Sequence, residues 1–241
     1  FSLLDEVREG YGYKGGEIDQ NSPLIYSFNF NFQQPESIIS DKNVLLHKPI
    51  DCVDLNNKYW LDHLTFNGKG DYFAFFLRWQ ESGGLNTQLH IVSSDGSVIF
   101  QEPFLNNGMA SHFSWLNDRE LVAWGRPKNI QASLYRKRFI RKALGPIYHS
   151  LITSPILRQK LSGDSFIKFN IDFPKSRNPV GKGILAEDGH VSFYKEKWLL
   201  TDTFDAKKHR RGLVLFNLDL KEKVDVGSFC TLPENIKEND W

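Results

Sequence analysis

Three four-residue words in this chain share one pattern, His-x-[Ser/Thr]-[Phe/Trp]: His63-Leu-Thr-Phe66, His112-Phe-Ser-Trp115 and His190-Val-Ser-Phe193. Each opens a unit of the same make-up. A turn-like stretch follows (Asn67-Gly68-Lys69-Gly70, Asn117-Asp118, Lys195-Glu196), then an aromatic-rich apolar run at 72–79, 121–124 and 198–201. A second apolar run comes next, at 88–92, 166–171 and 212–218. Internal repetition constrains the fold before local propensity does, because a repeated unit buries its apolar face only by stacking on its neighbours.

The first two histidines are 49 residues apart and the second and third 78, an excess of 29. One stretch of about that length, 130–160, differs from the rest: it is basic, has no acidic residue and carries helical spacing. Its removal restores a period near 49. Units of roughly 40–50 residues built from about four short strands are the signature of a β-propeller blade. The runs are rich in β-branched and aromatic residues with turn residues between them, as strands require. The expected fold is therefore an all-β propeller of four-stranded antiparallel blades near 63–110, 112–188 and 190–230, the second carrying a basic helical insertion at 130–160. A β-sandwich with fortuitous repetition is the alternative. A closed propeller needs at least four blades. The opening segment, with its Tyr11-Gly-Tyr-Lys-Gly-Gly16 turn and strand-like 24–32, is expected to supply one blade or parts of two. Residues 1–241 are read as a single propeller domain that forms part of a larger one of six to eight blades.

Composition fits a chain with packed sheets: 40% hydrophobic and 24% charged, with six Trp, eight Tyr and nineteen Phe. No run of about eighteen apolar residues is present to span a bilayer as a helix. No signal-peptide apolar region is visible either, so a cytoplasmic location is expected over a periplasmic one. The two cysteines, Cys52 and Cys230, lie in strand-like surroundings and are read as buried thiols rather than a disulfide. The sequence lacks a Gly-x-Ser-x-Gly elbow, a phosphate loop, a His-Glu-x-x-His helix and a Cys-x-x-Cys pair.

In a propeller the innermost strand of each blade lines the central channel, so a residue placed identically on each recurs around the axis at one height. Three imidazoles at His63, His112 and His190 would then converge as ligands of a divalent metal, expected as Mn, Zn or Ca, with a position left for a substrate oxygen. The plainer role is that each histidine caps a turn or bonds the neighbouring blade. Arg78 and Arg126 follow their histidines by fifteen and fourteen residues. A guanidinium there could hold a carboxylate or sulfate in bidentate fashion. The third unit has Phe204 and Asp205 at that place, so the arginine is not a strict repeat element. Trp79, Trp115 and Trp124 are expected in the inter-blade core, with stacking on a sugar ring as the other role of a rim tryptophan such as Trp79.

Residues 131–160 hold seven Lys/Arg and no Asp/Glu, which leaves the rest of the chain at −6 against +1 overall. Leu134, Phe139, Ile140, Leu144, Ile147, Tyr148 and Leu151 recur at roughly helical spacing, with Gly145-Pro146 as a break. The segment reads as a contact for an anionic membrane, an anionic glycan or a protein partner, or as a lid. The alternative is a helical hairpin packed on the outer face with solvated charges. No nucleic acid is expected, because no recognition motif accompanies the basic patch.

Asp188-Gly-His-Val-Ser-Phe193, Trp198-Leu-Leu-Thr-Asp-Thr-Phe204, Arg211-Gly-Leu-Val-Leu-Phe-Asn-Leu218 and Val224-Asp-Val-Gly-Ser-Phe229 together resemble the blades of TolB-like and oligogalacturonate-lyase-like propellers found with bacterial polysaccharide genes. Trp60-Leu-Asp-His63, Phe76-Leu-Arg-Trp79 and Ser111-His-Phe-Ser-Trp115 fit the same pattern. The resemblance implies a carbohydrate-active propeller that takes an acidic polysaccharide or oligosaccharide at its central channel. Its chemistry would be metal-assisted β-elimination: a metal or arginine neutralises the C5 carboxylate, a base removes the C5 proton, and the 4-linked sugar leaves. On that reading His112, Arg78 and Arg126 are catalytic. Arg78, Arg126 and Trp79 contact substrate, and His63, His112 and His190 hold the metal. The family's clustered Gln and His ligands on one late segment are not visible in this chain. The alternative function is a non-catalytic propeller scaffold in polysaccharide biosynthesis, with the basic segment docking a protein or membrane, since a fold alone names no activity.

Overall fold

A strand whose successive residues are all apolar needs cover on both faces, because its side chains alternate between them. The second strands of the first two repeats have this character, at 73–77 and 121–124, whereas the third is apolar only over 198–200. The computed structural model describes residues 2–4, 8–9, 12–13, 23–28, 35–40, 59–81, 84–95, 98–103, 110–125, 156, 159, 163–205 and 210–230. The chain divides into two compact units, Phe1–Asn107 with Leu232–Trp241, and Gly108–Thr231.

In the first unit, β1 (Ser2–Leu4), β4 (Pro23–Phe28) and β5 (Pro35–Ser40) form a three-stranded antiparallel sheet in the order β1-β4-β5, and β2 (Arg8–Glu9) pairs with β3 (Gly12–Tyr13). The same unit holds a four-stranded antiparallel sheet of β6 (Tyr59–Phe66), β7 (Tyr72–Glu81), β8 (Gly84–Ser93) and β9 (Val98–Pro103), paired in chain order. The second unit contains two more of these meanders. One is β10 (Phe113–Trp115), β11 (Glu120–Gly125), β12 (Ser165–Asn170) and β13 (Phe173–Val180); the other is β14 (Val191–Tyr194), β15 (Trp198–Asp205), β16 (Arg210–Asn217) and β17 (Lys223–Cys230). The described part is thus all-β and antiparallel, and every apolar run of the three repeats is a strand.

The excess between the second and third histidines falls in one hairpin. β11 and β12 are neighbours, in register from Glu120↔Asn170 to Gly125↔Ser165, so the inserted segment leaves and re-enters the same end of one sheet. Closing a long loop whose ends are already adjacent costs little more than closing a short one. Most of 130–160, with Arg126 just before it, lies outside the described residues. Two residues near its return end are helical, Ile156 and Gln159. Gln159 is buried, donates to the Leu185 carbonyl (2.8 Å) and accepts from the Gly183 amide (2.9 Å). Among the described residues no helix is long and apolar enough to cross a membrane.

Phe73, Ala74, Phe75, Phe76 and Leu77 of β7 are fully buried at both parities, as are Leu121, Val122 and Ala123 of β11. Within the second unit, the β10–β13 and β14–β17 sheets pack face to face through Leu116, Val122, Trp124, Phe166 and Val180 on one side and Val191, Leu199, Val214 and Phe216 on the other. Each such side chain is worth roughly 1.5–3 kcal/mol when fully withdrawn from water. Trp124 meets Phe166 edge to face at 4.9 Å, a favoured aromatic geometry. Trp115 is only partly buried, which corrects its expected place in the core: it sits on the first, edge strand of its sheet. Cys230 is likewise not a buried thiol but an exposed free one, because β17 is the outer strand and nearly all of it faces water. Cys52 lies outside the described residues.

Candidate functional site

The repeated word has the same register in all three sheets. Its aromatic residue pairs with the second residue of the next strand (Phe66↔Phe73, Trp115↔Leu121, Phe193↔Leu199), and its hydroxyl residue with the following one (Thr65↔Ala74, Ser114↔Val122, Ser192↔Leu200). Each histidine therefore comes at the same step of the register, just before the first strand begins (His112, His190) or, at His63, at a bulge within it. What lies across from it differs. His63 is at a bulge in β6, with φ +58°, and its ring packs on Phe76 at 5.7 Å. The carbonyl of His112 accepts the Trp124 amide at 2.8 Å. Opposite His190 stands Asp202, whose carboxylate accepts the His190 backbone amide at 2.6 Å.

Because β10 and β14 run side by side, His112 and His190 meet, their ring centroids 4.1 Å apart and tilted by 49°. Each imidazole is backed by a carboxylate. His112 Nδ1 lies 3.1 Å from Asp188 Oδ1, and Ser111 Oγ donates to the other oxygen of Asp188. His190 Nδ1 lies 3.2 and 3.3 Å from the two oxygens of Asp202, and Arg211 Nη1 donates to Asp202 Oδ2 at 2.9 Å. A carboxylate on Nδ1 orients the ring, sets the tautomer that carries hydrogen there and turns Nε2 outward as acceptor, base or ligand. His190 is largely exposed while His112 and Asp202 are mostly covered, so the pair opens to solvent on the His190 side.

Gly189 makes the arrangement possible. A Cβ on it would lie 1.9 Å from the Asp202 carbonyl oxygen, 2.6 Å from Thr201 Oγ1 and 2.8 Å from Asp202 Oδ1. Only a residue without a side chain lets the Asp188-Gly-His190 turn press against β15.

Burial alone would raise the Asp202 pKa, but the His190 amide, the charge and ring of His190 and the Arg211 guanidinium together outweigh it and hold the carboxyl below its usual value. A carboxyl lowered in the folded state stabilises above its unfolded pKa, near about 3.9, and loses that contribution as pH falls through the folded value. Asp202→Asn is therefore expected to lower the thermal midpoint at pH 7 and to converge with the parent as the pH drops below about 4. Melts across pH 2–7 check this, and an offset independent of pH would count against the ionised form.

The other expected site residues fall elsewhere. Arg78 is on β7 of the first unit, paired with Trp60 and Thr87, buried, and with its guanidinium 5.2 Å from the Phe76 ring centroid. The backbone of Trp79 pairs with Tyr59 and Asn86. Arg126 lies outside the described residues. His63 belongs to the first unit; within the second, His112 and His190 meet. Sequence reasoning missed Ser111, Asp188, Asp202 and Arg211. The Asp-Gly-His spelling at 188–190 was a usable signal for Asp188, whereas Asp202 and Arg211 are brought in by strand pairing.

Imidazoles oriented by carboxylates are one kind of donor that transition metals take. With neutral histidines, Asp188, Asp202 and Arg211 leave the cluster at −1, which favours a cation. Among the described residues no group of three His, Cys, Asp or Glu side chains is placed to hold a metal. The pair thus fits part of a coordination sphere, the remaining positions of which would fall to water or substrate.

No protein-family model matches the chain, and no curated protein matches it. Among solved structures, one described under a study of two prolyl endopeptidases and their inter-domain dynamics aligns with 73% of this chain and 21% of its own, at 10% identity and a TM-score of 0.42. The chain spans about a fifth of the length of that structure. A likeness at that level carries no conclusion about fold or function.

Proposed function

We propose that the three meanders are blades of a TolB-like β-propeller and that His112 and His190, at the channel end of two adjacent blades, bind an acidic saccharide with the help of a divalent metal. Support for the propeller comes from the four-strand meanders in chain order, the common register of the His word, the burial of β7 and β11 on both faces and the adjacency of first strands β10 and β14. The observation that carries the functional reading is the side-by-side pair of carboxylate-backed imidazoles. A metal there would supply positive charge for a uronate carboxylate. With His190 Nε2 as the protein's ligand to that metal, the residues supply the rest of a β-elimination: Nε2 of His112, left off the metal, takes the C5 proton while Asp188 holds Nδ1–H, the C–H electrons form the C4=C5 bond, and the C4–O bond breaks to release the linked sugar, whose oxygen takes a proton from water.

The second reading is a non-catalytic scaffold, favoured by the exposed apolar side chains Tyr194, Val224 and Phe229 on the last sheet. Calorimetric titration with Mn²⁺ and Zn²⁺, then with a galacturonate oligomer, separates the two. The expected result is stoichiometric metal binding and a new unsaturated C4=C5 absorbance on incubation with the oligomer. His190→Ala should remove both, and His112→Ala the absorbance alone, at an unchanged thermal midpoint. A parent chain that takes up neither metal nor oligomer makes the scaffold the better reading.

A further inference from the structure

Resting on the saccharide reading above, we propose that Phe204, Arg211 and Phe229 form a subsite for a carboxylate-bearing sugar beside the histidine pair. The three are cross-strand neighbours on β15, β16 and β17, Phe204↔Arg211 and Arg211↔Phe229, so they stand in one row on one face of the sheet. Phe204 is 43% and Phe229 60% exposed, and 40% of the Arg211 side chain faces solvent. Large aromatics left open on both sides of a cation form a platform: a ring C–H face packs on each aromatic, and the guanidinium fork matches a carboxylate. With strands about 4.8 Å apart, the two phenylalanines flank the arginine across about 10 Å, room for more than one sugar ring.

The row is tied to the His pair. Arg211 lies 5.4 Å over the Phe204 ring and donates to Asp202, which in turn holds His190. It lies at the end of the sheet where β14 and β16 begin and β15 and β17 finish, the end that carries His190, whereas Leu200, Leu215 and Val224 occupy the middle of that face.

The test uses the whole chain, Arg211→Gln, Arg211→Lys and Phe229→Ala, titrated with hexagalacturonate and with the same oligomer after its carboxyls are reduced to alcohols. Arg211→Gln should weaken the carboxylated oligomer at least about tenfold, as expected for lost charged hydrogen bonds, and abolish the preference over the reduced one. Arg211→Lys should restore only part of that preference, because an ammonium cannot offer the planar fork. Phe229→Ala should weaken both oligomers alike, by about two- to tenfold. The preference ratio decides even if a variant melts lower, since a structural defect moves both ligands together. If the parent binds the acidic oligomer and Arg211→Gln binds it equally well, the subsite is overturned while the His-pair reading stands. If the parent binds no oligomer at all, the saccharide reading itself falls. A dimer that Phe229→Ala dissociates, with oligomer binding unchanged, makes the row a protein contact and overturns the subsite.

Discussion

Trp124→Ala is expected to cost about 3–5 kcal/mol and to unfold the Gly108–Thr231 unit near physiological temperature. The side chain is 2% exposed and sits between two sheets, against Phe166 and among Val122, Val180 and Val214. Its removal leaves a cavity that two hydrogen-bonded sheets cannot collapse into without breaking register, and cavity volume adds to the lost transfer energy. Loss of the indole N–H costs nothing further, because it has no hydrogen-bond partner among the described residues. Domains of this size usually hold only about 5–15 kcal/mol in total. Thermal and urea melts followed by circular dichroism measure the effect. Trp115→Ala, at a partly buried position on the edge strand, is the control and should cost markedly less. Equal losses at the two tryptophans would contradict the packing described for this unit.

Gly189→Ala is expected to damage stability and site together. The new methyl would overlap the Asp202 carbonyl oxygen at 1.9 Å, and that oxygen belongs to strand β15, whose movement disturbs the whole ladder with β14 and β16. Overpacking of this kind costs about 1–3 kcal/mol. Relief of the clash must push the Asp188-Gly-His190 turn away from β15, which lengthens the His190 amide bond to Asp202 and parts the imidazoles. On the metal reading proposed above, affinity for the ion should then fall about 10–100-fold, the usual result of losing an orienting outer-shell partner. A metal titration beside a thermal melt reads both effects. A variant that melts lower yet binds metal as the parent does would show that the turn supports the fold without positioning the pair.

Much of the architecture was legible in the chain because its cause is local. The His-x-[Ser/Thr]-[Phe/Trp] words mark three first strands, the apolar runs at 72–79, 121–124 and 198–201 became β7, β11 and β15, and the turn residues between them set the hairpins. Even the odd spacing was readable: an insertion with its own composition predicts that the strands on either side stay paired, as β11 and β12 do. Burial was less legible where edge and centre differ. Trp115 and Cys230 have core-like neighbours in sequence, yet both lie on edge strands, and strand order is a property of the folded sheet.

The site was legible only as one residue type. Repetition pointed to the histidines, because equivalent positions in equivalent units must recur in space, and the structure brings His112 and His190 into contact. It could not point to what makes them chemically useful. Asp202 is twelve residues from His190 and Asp188 is 76 from His112, separations closed by cross-strand pairing and by the packing of one sheet on the next. Arg211 reaches Asp202 because a diagonal across β15 and β16 puts their side chains on one face. Sequence alone determined the repeating strands, their register and the place of each histidine, since these follow from side-chain alternation and turn chemistry. Only the tertiary structure decided which histidine gains a carboxylate and a guanidinium, because those partners come from strands that the local pattern does not bring together.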